Sequence, residues 1–135
     1  MLNVEGLEAG YGQSRILFGI DLSVGAGEVV TLLGRNGMGK TTTIKSIFGL
    51  IRPRGGRITV DGDDVTGKPP HVVARHGLGL VPEGRQIFPT LSVEENLVAT
   101  HRADGAARWT LRTVYALFPR LEERRRNMGN QLSGG

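Results

Sequence analysis

Eight consecutive residues limit most strongly what this chain can become. Gly34, Arg35, Asn36, Gly37, Met38, Gly39, Lys40 and Thr41 spell Gly-x-x-x-x-Gly-Lys-Thr. Before them runs an apolar stretch, Glu28, Val29, Val30, Thr31, Leu32 and Leu33, that reads as a strand. After them, residues 42–48 read as a helix. A glycine-rich turn between a strand and a helix, closed by Lys-Thr, is the context of a phosphate-cradling loop. Glycines let the backbone wrap tightly, so that successive N–H groups point at phosphate oxygens. The helix start adds partial positive charge at the same place. Lys40 is then expected to reach the β- and γ-phosphates of a nucleoside triphosphate, and the Thr41 hydroxyl to ligate Mg²⁺. The alternative is a glycine-rich turn without a ligand, which the flanking strand and helix disfavour.

The 135 residues make one domain's worth of chain, and 39% hydrophobic content suffices for a core. There is no cysteine, which removes a disulfide framework and thiol chemistry and fits a reducing interior. The start, Met1-Leu2-Asn3-Val4-Glu5, has neither the basic segment nor the apolar run of a secretory signal. No apolar run approaches the ~20 residues needed to span a bilayer, so service to a membrane would go through a partner. The net charge of +4 comes mainly from 14 Arg, against 3 Lys. Arg120, Arg124, Arg125 and Arg126 cluster, but Glu122 and Glu123 interrupt them and no aromatic residue is interleaved. A solvated helix face is expected there rather than a nucleic-acid contact.

Along the chain, Leu2-Asn3-Val4 can start a strand, and residues 8–12 read as a turn holding Tyr11 between glycines. Residues 16–18 and 20–24 alternate and predict a second strand, suggesting an antiparallel sheet beside the nucleotide core. The helix after Lys40 is expected to bury Ile44, Ile47 and Phe48 and to end near Gly49. Residues 57–60 form a short strand closed by the Asp61-Gly62 turn signal. Pro70 opens a short helix to about His76, and residues 77–81 read as a buried core strand stopped by Pro82. The pattern then turns helical and charged. Ser92 and Glu95 make a capping box for a helix to about His101, and Asp104-Gly105 breaks the chain. Leu111, Val114, Tyr115 and Phe118 mark one face of a further helix ended by Pro119. The expected division is 1–82, a nucleotide-binding core with an antiparallel β part, and 83–135, a loop followed by a helical part. His71, His76 and His101 lack metal-ligand spacing and read as surface residues.

Several of these stretches together resemble one family. Tyr11-Gly12, Gly27-Glu28, the run from Gly34 to Thr42 and the helix end Ile47 to Leu50 are similar to ATP-binding subunits of ABC transporters. Gln131, Leu132, Ser133, Gly134 and Gly135 resemble the start of that family's Leu-Ser-Gly-Gly signature, which on its own could be an ordinary turn. Within the family, residues 64–71, Val81-Pro82-Glu83-Gly84-Arg85 and residues 88–97 look most like importers of branched-chain amino acids. The resemblance covers the whole chain. It implies an α/β fold: a P-loop NTPase core of the ABC ATPase type, an antiparallel β subdomain and the start of a helical subdomain, truncated inside the signature.

The resemblance also implies roles. ATP and Mg²⁺ would be held by Gly34, Arg35, Asn36, Gly37, Met38, Gly39, Lys40, Thr41 and Thr42, with Thr41 on the metal. Tyr11 would stack on adenine, as a flat ring fixed by a turn can. Leu132, Ser133, Gly134 and Gly135 would contact ATP held by a second ABC subunit, in a homo- or heterodimer closed head to tail. Glu83 stands where the family usually has glutamine; an ionised carboxylate can ligate Mg²⁺ but cannot donate a hydrogen bond. Gln86, three residues on, is the substitute for that role or a solvated amide. Met38 replaces a smaller residue, with its side chain expected to point away from phosphate. Motifs that follow the signature in the family, among them the Walker B aspartate and the catalytic glutamate, lie outside these residues, so residues 1–135 alone are expected to be inactive in hydrolysis. The intact protein is expected at the cytoplasmic face of the inner membrane, bound peripherally through transmembrane permease subunits, with no direct nucleic-acid contact. A urea or amide importer, a soluble ABC ATPase acting on nucleic acid, and a non-catalytic nucleotide-binding module are the alternatives.

Overall fold

The computed structural model describes residues 1–84, 86–99, 101 and 109–132. Two compact units divide the chain, Met1–Val81 and Pro82–Gly135.

The first unit is built on a four-stranded antiparallel sheet, in the order β2-β1-β3-β4. Strand β1 (Leu2–Tyr11) lies between β2 (Ser14–Val24) and β3 (Gly55–Val60), and β4 (Asp63–Asp64) finishes the edge. Strand β1 therefore continues through the segment read as a turn, and the true turn is Gly12-Gln13. Alternation explains why the sheet buries one face: Ile58 and Val60 are two apart on β3, and Leu7 and Ala9 two apart on β1. The register shifts between Val4 and Leu7, so the buried spacing on β1 is uneven there. Leu17 of β2, Val65 and Val73 complete the core with Ile47 of the helix α1 (Lys40–Ile47).

Helix α1 buries Thr42, Thr43, Ser46 and Ile47, while Ile44 faces solvent and Phe48 is half-buried. The expected Ile44–Ile47–Phe48 stripe is thus rotated toward the smaller residues, which allow the helix to lie close to the sheet. Past Asp61-Gly62, both at positive φ, the chain reaches Val65, whose N–H donates to Ile58 O at 2.9 Å. Helix α2 (Pro70–Arg75) starts on its proline and is capped by His76, as the sequence predicts.

Two expected strands are absent. Residues 28–33 and 77–81 pair with no strand among the described residues. Val29 is 91% exposed, Leu33 88% and Val81 94%; only Leu78 packs against the core. A strand is a pairing, not a local shape, and each of these stretches lacks a neighbour to donate to.

In the second unit, α3 (Val93–Ala99), α4 (Leu111–Leu117) and α5 (Pro119–Glu123) are followed by a 3₁₀ turn, Gly129–Gln131. The capping box forms: Glu95 N–H donates to Ser92 Oγ at 3.2 Å and Ser92 N–H to Glu95 Oε2 at 2.7 Å. The donations from the Ser92 N–H and then the Ser92 hydroxyl hold the Glu95 carboxyl below its ordinary range. Tyr115 is the buried residue of α4 and donates to Glu94 Oε2 at 3.1 Å; burial, then that carboxylate, pushes its phenol up. Phe118 is exposed, not part of the buried face, and Pro119 both ends α4 and opens α5 at its first turn. The arginine cluster splits: Arg120 lies on α5, paired with Glu123 at 2.7 Å, and Arg124 to Arg126 follow the helix. The expected break at Asp104-Gly105 lies outside the described residues.

Candidate functional site

The loop of residues 34–41 closes on itself. Gly34, Gly37 and Gly39 have φ of +155°, +84° and +90°, wrapping the backbone as side-chain-bearing residues rarely do. Met38 N–H donates to Arg35 O at 3.3 Å. The Lys40 ammonium crosses the turn and donates to Gly34 O and, at 2.9 Å, to Arg35 O. Lys40 thus sits within the loop with its charge offset by carbonyl dipoles, and no carboxylate pairs with it among the described residues.

Gly39 positions the loop on the sheet. A Cβ there would meet Leu17 Cδ2 at 2.6 Å and Ile16 Cγ2 at 3.4 Å, so only glycine lets α1 start this close to β2. Gly39 O accepts from Thr43 N–H at 2.8 Å and from Thr43 Oγ1 at 3.0 Å. The N–H groups of Lys40, Thr41 and Thr42 find no acceptor among the described residues, and no side chain caps the helix. The first turn holds no acidic residue either. Three free donors, an uncompensated helix start and one ammonium therefore converge on the loop, an arrangement suited to an anion.

Thr41 is exposed, with its hydroxyl available; the Thr42 side chain is buried, which leaves its backbone N–H as the group it offers. Arg35 and Asn36 are exposed, and so is Met38 at 71%. Tyr11 ends β1 with its ring half exposed. Its strand neighbour Ala9 pairs with Leu17, the residue against Gly39. The hairpin thus carries Tyr11 two residues, roughly 7 Å, past the level of the loop contact.

The remaining candidates belong to the second unit. Glu83 is exposed, and Gln86 lines an apolar hollow of about 380 Å³ together with Ile87, Phe88, Val93, Leu97 and Leu132. Leu132 is therefore a wall residue of this hollow, while Ser133, Gly134 and Gly135 lie outside the described residues. The sequence reading gave Asn96 no role, yet it fixes the loop beside the hollow. Its amide accepts from Phe88 N–H at 2.8 Å and donates toward Phe88 O, Leu91 O and Ser92 O at 2.9–3.1 Å. No local pattern marks an asparagine that folds back on its own preceding turn. Among the described residues, no group of three acidic or histidine side chains gathers as a metal site, and no helix is long and apolar enough to cross a membrane.

Known proteins similar to this chain fall in one family. The sequence family described as ABC transporter matches residues 17–135. The chain is 35% identical to the high-affinity branched-chain amino acid transport ATP-binding protein BraG of Pseudomonas aeruginosa, over all of the chain and 59% of that protein. It is 38% identical to the lipopolysaccharide export system ATP-binding protein LptB of Escherichia coli, over 99% of the chain and 57% of that protein. The chain thus spans less than two thirds of the length of these curated relatives. A solved structure described as the ATP binding subunit of an ABC transporter superposes with a TM-score of 0.77 at 31% identity, covering 98% of this chain and 56% of that one. With a fold and a sequence that both align from end to end, the chain belongs to the ABC transporter family.

Proposed function

We propose that this chain is the nucleotide-binding part of an energy-coupling ATPase subunit that serves a membrane importer of branched-chain amino acids. The observation that carries the reading is the loop of residues 34–41, where the Lys40 ammonium and the N–H groups of the first turn of α1, without acceptors among the described residues, lie at the start of one helix. Its residues fit a nucleoside triphosphate: the backbone donors and the ammonium suit phosphate oxygens, and the exposed Thr41 hydroxyl suits Mg²⁺. When bound, Mg²⁺ neutralises charge on the β- and γ-phosphate oxygens. Lys40 would exchange its carbonyl partners for phosphate, and the half-exposed ring of Tyr11 would cover the base. Leu132 with Ser133, Gly134 and Gly135 would meet nucleotide held by a second subunit, so two copies or two paralogues would close on a shared pair of sites. In the whole protein that closure would drive hydrolysis of ATP and reopening.

The first unit is the nucleotide-binding core in this reading, and the second carries the coupling surface. Exposed Ile87 and Phe88, beside the apolar hollow and the loop fixed by Asn96, suit a transmembrane permease subunit. The protein would then lie at the cytoplasmic face of the membrane, held there by its partner. The choice of branched-chain amino acids rests on residues 64–71, 81–85 and 88–97 and on the likeness to BraG. The likeness to LptB favours a second reading, lipopolysaccharide export.

Calorimetric titration of the chain with MgATP tests the site. Lys40→Ala is expected to lose most of the affinity, about 100-fold, as removal of a charged hydrogen-bonding group from a phosphate site costs up to ~3 kcal/mol. Equal MgATP affinity in the variant would end the phosphate-loop assignment. Deletion of the gene, followed by assays of leucine uptake and of lipopolysaccharide at the cell surface, separates the two cargoes.

A further inference from the structure

The hairpin tip that carries Tyr11 is held from outside the hairpin. Tyr11 pairs with Ser14 across the two-residue turn Gly12-Gln13, with Gly12 at φ +51°, the first central position where tight hairpins favour glycine. On its other edge, β1 pairs with β3 only as far as Glu8, opposite Gly55. From there to the tip, that edge of β1 has no strand beside it. Arg54, the residue before β3, takes over where the ladder stops. Its backbone N–H donates to Glu8 O at 2.7 Å, and its guanidinium reaches forward to donate to Gly12 O. The guanidinium has no carboxylate partner among the described residues; Glu8, the nearest acid on β1, is paired with Arg15 at 2.6 Å. Arg54 therefore spans the free edge of β1 past its last pair with β3 and ties the turn beyond Tyr11 to the sheet, while the Tyr11 ring stays half exposed.

We infer that Arg54 is a positioning residue for base recognition: by holding Gly12 O it fixes the backbone under Tyr11, so that the ring meets a nucleobase already ordered. This rests on the nucleotide-site reading above. Fixing a contact residue before binding spares the cost of ordering it on binding, and the saving appears only in ligands that possess a base. The phosphate loop, built on Gly39 and α1, does not draw on Arg54.

The test compares MgATP with magnesium tripolyphosphate, which offers the same phosphates without a base, by calorimetric titration of the 135-residue chain. Arg54→Ala is expected to weaken MgATP about fivefold and tripolyphosphate by less than about twofold, in line with the worth of one hydrogen bond and of aromatic stacking. Arg54→Lys, which keeps a donor at similar reach, should restore MgATP binding to within about twofold of the original. In a Tyr11→Ala background, Arg54→Ala should add nothing, since the ring it positions is gone. MgATP affinity unchanged in Arg54→Ala, an equal loss for both ligands, or losses that add to Tyr11→Ala would overturn the inference. A parent chain that binds neither ligand removes the nucleotide site itself; a parent that binds both, with an unaffected Arg54→Ala, removes only the role of Arg54.

Discussion

Residues 2–24 and residues 28–33 lie next to each other in sequence and are both rich in Val, Leu and Ile, yet they end in opposite environments. The first stretch folds into the hairpin β1–β2, and its Val4, Leu7 and Leu17 are almost fully buried. The second, equally suited to a strand, leaves Val29 and Leu33 facing solvent. The difference is in where each finds partners. An antiparallel hairpin closes its hydrogen bonds with its own neighbour across a two-residue turn, so it needs nothing from distant sequence. A strand feeding a phosphate loop into a helix belongs to a parallel arrangement, which requires a crossover and a strand brought from elsewhere. Apolar content makes a stretch eligible for a sheet; pairing decides whether it enters one.

The contrast is easiest to break by mutation. Leu7→Ala is expected to destabilise the chain by about 3 kcal/mol in urea unfolding, as loss of a fully buried leucine leaves a cavity. Leu33→Ala should change stability by less than about 0.5 kcal/mol, since the side chain is exposed already. Similar effects from the two substitutions would show that residues 28–33 are packed.

A smaller effect is expected in the second unit, where local capping does what pairing does in the sheet. Ser92→Ala removes the cap of α3 and should cost about 1 kcal/mol. Its pH signature follows from Glu95, whose carboxyl is held low by the Ser92 N–H and then by the Ser92 hydroxyl. A lowered folded value means that the contribution is fully present above the unfolded value, near the ordinary 4.5, and is lost as pH falls through the folded value. Stability of the parent should therefore fall more steeply than that of Ser92→Ala below about pH 4.5, and the two curves should run parallel above it. Curves that stay parallel to pH 2 would mean that the Ser92 hydroxyl does not hold the Glu95 carboxyl low.

The smallest change is expected at Ser46, on the side of α1 that faces the sheet. Its hydroxyl is buried without a hydrogen-bond partner among the described residues. Ser46→Ala should leave stability unchanged or raise it by up to about 1 kcal/mol, because the unpaired polar group is the unfavourable one. A loss above about 1 kcal/mol would mean that the hydroxyl has a partner.

What could be read in the sequence divides along the same line. The helix that follows the glycine loop, the Ser92–Glu95 box, Pro70 at a helix start and the Asp61-Gly62 turn are all fixed by contacts within a few residues, and all appear as expected. Residues 28–33 and 77–81 depend on remote partners, and there the apolar content was misleading. The buried side of α1 depended on how closely the helix could approach β2, which Gly39 decides and no helical periodicity records. Pro119 was read as a stop, although a proline that ends one helix is equally placed to begin the next. The ring of Tyr11 was legible as a candidate contact; the tie from Arg54, 42 residues further on, was not.

Residues 34–42 are proposed to bind a triphosphate through their own backbone. Amide hydrogen exchange with and without MgATP tests it residue by residue. In the free chain, the amides of β1 and β3 should be protected and those of residues 28–33 should exchange freely. On adding MgATP, protection should rise first and most at Gly37, Gly39, Lys40, Thr41 and Thr42, where donors now without acceptors gain phosphate oxygens. Protection that appears elsewhere while these five amides exchange as before would contradict the account.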